Sequence, residues 1–457
     1  MTVFIRISIE IVDFSSRIQY NKSIMIDKEI IKRNVFKKIL LEFWESPLPQ
    51  IFPRILEVPN EPKKITVIWG PRRSGKSFYL FNLVKKLWEQ GVPKNQVVYL
   101  NFEDDRLPHL KAIDLQQLLE AYFELFPENK GKKLFFLLDE IQNITGWEAF
   151  ARRLYEKEKT FVFITGSSSK LLSREIATAL RGRCYSFALY PLSFKEFLSF
   201  KGIDFQKEAP FSHQRFVLKK ELEEYLTWGR FPEVVLEKDP ILKRKILQEY
   251  FQALLYQDLA ERFTLTNAVF LEEFLKYLIT NPTCLFSTNA YYKLVSQNIP
   301  ISRDTVFSYS EKLAESFYFY YLPIFSYSLK VQRVNPKKII LLDNGLRQVA
   351  GMQFSQDFGK LAENLTGKFL LEQDNTYVYY WRNKHEVDFV VKKGKEVTAL
   401  NVSYTDMISE RETAGLKEFK KKFPKTDRLI ILNKDITQVQ EGIEFIPLWQ
   451  YLLELIS

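Results

Sequence analysis

Five apolar runs punctuate the first half of the chain, at 65–69, 97–102, 134–138, 161–165 and 184–189, with stretches of helical spacing between them. Runs this short and unbroken suit strands buried on both faces, and their alternation with helices predicts a parallel sheet in an α/β domain. After the first run, Phe78, Leu80, Phe81, Leu83, Val84 and Leu87 form an amphipathic stretch of helical period. Upstream, Val3, Ile5, Ile7, Ile9 and Ile11 alternate with mostly polar neighbours and predict one half-buried strand. Met25 is an alternative start, because the segment before it has no evident role. Residues 28–45 predict a basic amphipathic helix with Ile31, Val35, Ile39 and Phe43 on one side, broken by Pro47, Pro49 and Pro53.

The second half changes character. Residues 201–258 read as helical, with Leu222, Tyr225 and Leu226 at helical spacing and a tight turn at Trp228-Gly229-Arg230-Phe231-Pro232-Glu233. Helical stretches at 267–280, 287–297 and 302–315 then precede an aromatic strand run, 317–327, and a hairpin carrying Lys330, Arg333, Lys337 and Lys338. No acid occurs between Ser316 and Leu342. Three helices and a basic hairpin predict a winged helix, whose helix from Ser302, with Arg303, Thr305 and Ser308, would lie in a major groove. Because 259–345 carries only 9 basic against 7 acidic residues, a protein-docking module with a solvated hairpin is the alternative. Beyond it come a helix bearing Phe358, Leu361, Leu365 and Phe369, strands at 377–381, 387–391, 397–402 and 428–432, and a helix at 410–422. Lys420-Lys421-Lys422 reads as a solvated helix end rather than a nucleic-acid patch.

At 457 residues the chain is too long for one core, and 46% apolar content is ample for several. No apolar run is long enough to span a bilayer, and Arg6, Glu10 and Asp13 interrupt any signal peptide. Two distant cysteines, Cys184 and Cys284, predict free thiols in a reducing cytoplasm, and three scattered histidines argue against a zinc site. The net charge is +10, and residues 50–200 carry 23 basic against 17 acidic residues. The excess sits mainly where a polyanion is already expected, so it lends nucleic-acid binding little weight.

That expectation comes from Gly70-Pro71-Arg72-Arg73-Ser74-Gly75-Lys76-Ser77, which matches G-x-x-x-x-G-K-[ST] between a strand and a helix. The glycines let backbone N–H groups converge on phosphates at the positive end of the helix. Lys76 can reach the β- and γ-phosphates, and the Ser77 hydroxyl can sit on Mg²⁺. The run 134–138 ends in Asp139-Glu140, where Asp139 would order the metal's water and Glu140 would act as general base. The bland readings are a surface turn and a helix-capping acid pair, and the two motifs together favour an ATPase. Asn101-Phe102-Glu103-Asp104 and Thr165 to Ser169 follow two other strands and would border the phosphates; helix capping by Ser168 or Ser169 is the alternative. Arg181 and Arg183 precede the fifth run, at the end of a helix expected over 170–180. They are placed away from their own phosphates, so they would act on a neighbour's nucleotide or simply favour a helix end.

Taken together these motifs resemble a prokaryotic, archaeal-type family of AAA-type ATPases with an uncharacterised C-terminal domain of restriction-endonuclease-like fold. Leu138-Asp139-Glu140, Ser167-Ser168-Ser169, Leu180 to Arg183 and Pro191-Leu192-Ser193-Phe194 carry the resemblance beside Gly70 to Ser77. It implies ATP and Mg²⁺ as cofactors, a homo-oligomer with Arg181 or Arg183 acting in trans, and a winged helix bound to DNA. It also implies a helical lid in which Pro232 lies near the base, although Arg230 stands where a second glycine is usual. The implied domains are a lead-in at 1–60, a P-loop ATPase at 61–200, a lid at 201–258, a winged helix at 259–345 and a degenerate endonuclease-like domain at 358–457. Glu363 and Asp388 match the first two positions of a nuclease site, but Asn401-Val402-Ser403 lacks the following carboxylate and lysine, which predicts no nuclease activity. The rival readings are a nucleotide-controlled protein-docking switch and an ATP-dependent nuclease.

Overall fold

The computed structural model describes residues 29–107, 110–157, 160–167, 178–205, 213–350, 357–405 and 407–454. The strand expected at 3–11, Met25, Ser168, Ser169 and most of the helix expected at 170–180 lie outside them. The chain divides after Leu189 into two compact units.

In the first unit the five expected strands form one sheet: β1 (Ile65–Trp69), β2 (Val97–Asn101), β3 (Leu134–Asp139), β4 (Thr160–Gly166) and β5 (Cys184–Ala188). The order is β2-β3-β4-β1-β5, and every pairing is parallel. All six residues of β3 are buried because both faces of the sheet are covered. Leu134, Phe136 and Leu138 join a core with helices Leu115–Leu125 and Trp147–Lys157, while Phe135 and Leu137 pack with helix Lys76–Glu89 on the other side. Helix Lys76–Glu89 buries Tyr79, Leu80, Leu83, Val84 and Leu87, a helical stripe, and leaves Phe78 exposed.

The lead-in helix spans 29–45. Its buried positions are Phe36, Ile39 and Leu40, whereas Ile31 is 62% exposed, so the packed face is narrower and lies further along than the pattern suggested. Charge fixes its first turns: Lys32 bonds Asp114 at 2.7 Å, and Arg33 reaches Gln117, Glu120 and Glu124.

The second unit begins with helices Phe194–Phe200, Gln214–Trp228, Pro232–Leu236 and Pro240–Ala253, the last running into a π-helical turn over Leu254–Glu261. Helices Ala268–Thr280, Thr288–Val295 and Arg303–Ala314 follow, with a three-stranded antiparallel sheet of β6 (Leu285–Phe286), β7 (Phe319–Leu322) and β8 (Lys337–Leu341) in the order β6-β8-β7. The basic hairpin differs from expectation. A short helix, Leu329–Val334, holds Lys330 and Arg333 between β7 and β8, and Ser328 caps it. Lys338 is 1% exposed and turns inward.

Helix Phe358–Leu371 then packs on a mixed sheet of β9 (Thr376–Arg382), β10 (Glu386–Lys393), β11 (Glu396–Ser403), β12 (Arg428–Asn433), β13 (Gln438–Gln440) and β14 (Ile443–Pro447). The order is β13-β14-β12-β11-β10-β9, antiparallel through β9-β10-β11 and parallel through β11-β12-β14. Helix Glu410–Lys422 makes the crossover from β11 to β12. Strands β13 and β14 and the closing helix Leu448–Glu454 lie beyond the last strand that the sequence pattern predicts.

Candidate functional site

β1 ends at Trp69, and the chain turns through the glycine-rich loop into helix Lys76–Glu89. Gly70 is forced, because a Cβ there would lie 2.1 Å from the Leu189 carbonyl oxygen. Gly75 is the helix N-cap at φ 92°, a left-handed conformation that only glycine adopts freely, and it leaves the first turn without a side-chain cap. Arg54 secures the loop by donating to the Ser74 carbonyl at 2.8 Å. The Ser74 hydroxyl is buried with no hydrogen-bond partner among the described residues.

Strand order brings the acids to this loop. β4 lies between β1 and β3, so the carboxyl ends of all three converge. Lys76 is 4% exposed; its ammonium lies 3.3 Å from Glu140 Oε1 and donates to the Pro71 carbonyl at 3.1 Å. The Ser77 hydroxyl hydrogen-bonds Asp139. Thr165, at the end of β4, ties the acids together: its hydroxyl donates to Asp139 Oδ1 and accepts from the Glu140 amide at 3.1 Å. Tyr99 on β2 donates to Asp139 Oδ2 at 2.8 Å. Glu140 sits in a left-handed conformation at φ 51°, a costly placement for a non-glycine residue, and the Ser167 amide and hydroxyl each donate to its Oε2 at 3.1 Å.

The two carboxylates are electrostatically distinct. Burial pushes Asp139 up, and its hydroxyl partners only partly offset that. Burial also opposes ionisation of Glu140, but Lys76 and the bonds from Gln142 and Ser167 outweigh it, so Glu140 titrates below the usual carboxylate range. Glu140 is therefore held ionised, the form a general base needs. Glu103 is raised by burial and by the nearby charge of Glu140, with Arg72 pulling the other way from 3.9 Å.

The residues fit a magnesium nucleotide. One ammonium, one hydroxyl already meeting the carboxylate with which it would share a cation, an uncapped helix N-terminus and an unpartnered buried hydroxyl converge here. Among the described residues, no group of three or more His, Cys, Asp or Glu is arranged to hold a metal by itself. Of the expected site residues, the structure brings together Gly70 to Ser77, Asp139 and Glu140. Arg181 and Arg183 stand at the opposite end of the sheet: Arg183 precedes β5, whose Cys184 is in register with Ile65 at the start of β1, and it pairs with Glu156 at 2.8 Å. Sequence reasoning missed Tyr99 and Gln142; the signal for Tyr99 was a hydroxyl-bearing aromatic two residues before the end of the strand beside β3.

In the second unit the turn at Gly229 serves packing. A Cβ on Gly229 would meet Asp343 Oδ1 at 1.9 Å, and Asp343 accepts from the Arg230 and Gly345 amides, each at 2.7 Å. The Arg230 guanidinium is buried and paired with Glu372, which also takes Lys368 at 2.9 Å. Pro232 opens helix Pro232–Leu236.

The lysine that Asn401-Val402-Ser403 lacks is replaced from elsewhere: an ammonium does reach Glu363 and Asp388. Lys338 comes from β8 rather than β11, and lies 2.7 Å from Glu363, 2.8 Å from Glu386 and 3.3 Å from Asp388. Asn401 bonds the Asp388 amide and Glu412 instead.

The parallel sheet, glycine-rich loop and paired acids define a P-loop nucleotide-binding domain of the AAA type. Residues 62–198 match the family described as an AAA domain, and 219–357 and 358–451 match two domains of unknown function (DUF8612 and DUF4143). The chain belongs to the family of an uncharacterized protein of Methanocaldococcus jannaschii, with which it is 33% identical over 94% of this chain and 97% of that protein. An uncharacterized protein of Haemophilus influenzae is 32% identical over 85% of this chain and 94% of its own length. The Walker-type ATPase of Pyrococcus abyssi aligns in structure over 63% of this chain and 90% of its own, at 12% identity and a TM-score of 0.41. Among the described residues, no helix is long and apolar enough to cross a membrane.

Proposed function

We propose that this chain binds and hydrolyses ATP with Mg²⁺ at the loop Gly70 to Ser77. The convergence of Lys76, Ser77, Asp139 and Glu140 on one strand end carries the reading. Lys76 would neutralise the β- and γ-phosphates, Ser77 and Asp139 would hold the cation and its water, and ionised Glu140 would take a proton from the attacking water. Lys76, 3.3 Å from Glu140, favours the ionised carboxylate that this role requires.

Arg181 or Arg183 would complete a neighbouring subunit's site in a homo-oligomer, which their position far from their own loop favours. We further read 61–200 as the ATPase domain, 201–258 as a lid in which Pro232 lies near the base, and 259–345 as a winged helix on DNA. The helix and strand order from Ala268 to Leu341 supports the last reading. The region 358–457 would be an endonuclease-like domain without nuclease activity, with Lys338 occupying the space between its carboxylates. The site is cytoplasmic on this account. Titration with a fluorescent ATP analogue and Mg²⁺ tests the assignment: wild type should bind, and Lys76→Ala should lose at least about 2 kcal/mol of that binding, as expected for a charged hydrogen-bonding partner. Equal binding by the two overturns it.

A further inference from the structure

Two basic stretches, far apart in sequence, meet at one place in the second unit. The first is the acid-free segment between Ser316 and Leu342; the second is 419–426, which holds Lys420, Lys421, Lys422 and Lys425 and likewise no acid. Aromatic contacts join them: the ring centroids of Phe325 and Phe423 are 5.1 Å apart, and those of Tyr327 and Phe423 are 6.1 Å apart. The junction is fixed, because Phe325 is buried and its amide donates to the Tyr380 carbonyl at 2.6 Å. Around it Lys330, Arg333, Lys421, Lys422 and Lys425 are exposed, and Tyr327 is 79% exposed.

A helix dipole accounts for cations in the last turn of helix Glu410–Lys422. It does not account for Lys425 beyond that turn, or for Lys330 in the first turn of the short helix Leu329–Val334, where Arg333 occupies the last turn. Ordinary surfaces intersperse both signs of charge, and these two segments carry only one. Helix Arg303–Ala314 carries both signs, Arg303 and Lys312 against Asp304 and Glu311. Phosphates would be held less firmly there than at the tip. Lys337 adds little, since burial lowers its pKa and its ammonium bonds the Gln332 carbonyl.

We propose that the tip between β7 and β8 and the end of helix Glu410–Lys422 form one composite surface that grips the phosphate backbone of duplex DNA, with Tyr327 at its centre. This rests on reading the chain as DNA-associated, and it moves the contact from helix Arg303–Ala314 to a surface shared by two parts of the unit.

The test is fluorescence anisotropy of a labelled duplex with the full chain over a salt series. Wild type should give a slope of log K against log salt of about −4, near −0.9 for each phosphate neutralised. K330E/R333E and K421E/K422E should each weaken binding about tenfold or more and make the slope about 2 shallower. K85A, an exposed lysine on helix Lys76–Glu89, should change binding less than about twofold, and unchanged melting would show that the exposed substitutions leave the fold intact. Normal wild-type binding with unaltered slopes in both charge reversals overturns the surface and leaves the DNA reading standing. No duplex binding at about 50 mM salt overturns both. Binding to phosphatidylserine vesicles without binding to DNA assigns the patch to a lipid surface and overturns the proposal.

Discussion

The ammonium of Lys338 lies 2.7 Å from a carboxylate oxygen of Glu363, with Glu386 and Asp388 completing its surroundings and only 1% of the lysine exposed. Burial alone would lower a lysine pKa and raise that of Glu363; here the three carboxylates hold Lys338 well above its ordinary value, while Glu363 stays raised. Lys338→Met leaves buried carboxylates unpaired and should cost about 3–5 kcal/mol. Lys338→Met with Glu363→Gln should recover part of the loss, because one uncompensated charge is gone. Urea denaturation of wild type and both variants checks this, and a loss below about 1 kcal/mol in the single variant contradicts it.

The same contact bears on nuclease activity. A cation built into the chain sits between Glu363 and Asp388, and Asn401 offers a neutral amide where a third carboxylate is needed. Supercoiled plasmid should therefore remain intact with Mg²⁺ or Mn²⁺. Cleavage that disappears in Asp388→Ala would contradict the assignment.

Tyr99→Phe removes one donor from Asp139 and leaves the sheet unchanged, since only the hydroxyl is lost. A hydrogen bond to a charged group contributes about 1.5–3 kcal/mol. The variant should lower kcat/KM for MgATP by about tenfold or more and lower the melting temperature by a few degrees. Steady-state kinetics at saturating and limiting Mg²⁺ decide it, and unchanged kcat/KM removes Tyr99 from the site.

Asp343 is buried, and its pKa is pushed up to about 6, with Arg230 pulling the other way. Between the unfolded value of about 4 and the folded value the native chain binds the extra proton. Stability should therefore rise as pH falls from about 7 to 5, by about 1–1.5 kcal/mol. Asp343→Asn should flatten this rise. Urea midpoints at the two pH values test it, and a midpoint that falls over the window contradicts it.

Much of the first unit was legible because its strands are continuous apolar runs, which a sheet covered on both faces demands. Asp139 and Glu140 were readable for the same reason, as the first polar residues after such a run. Tyr99 was not, because a tyrosine inside a strand looks like packing until the strand order sets it beside Asp139. Lys338 misled for a related reason: an acid-free basic stretch reads as solvated, yet its counter-charges arrive from helix Phe358–Leu371 and β10. β13 is three exposed residues, and β14, although its burial alternates, is only five residues long and ends in Pro447, so neither stands out in the sequence.

Glu140 is held ionised beside Lys76, the state in which it would take a proton from the water that attacks ATP. Phosphate release by wild type and Glu140→Gln, with nucleotide binding measured in parallel, tests it most directly. Binding should survive in the variant while turnover falls by about 10²–10⁴. Turnover at the wild-type rate in Glu140→Gln, or none in the wild type, would contradict the account.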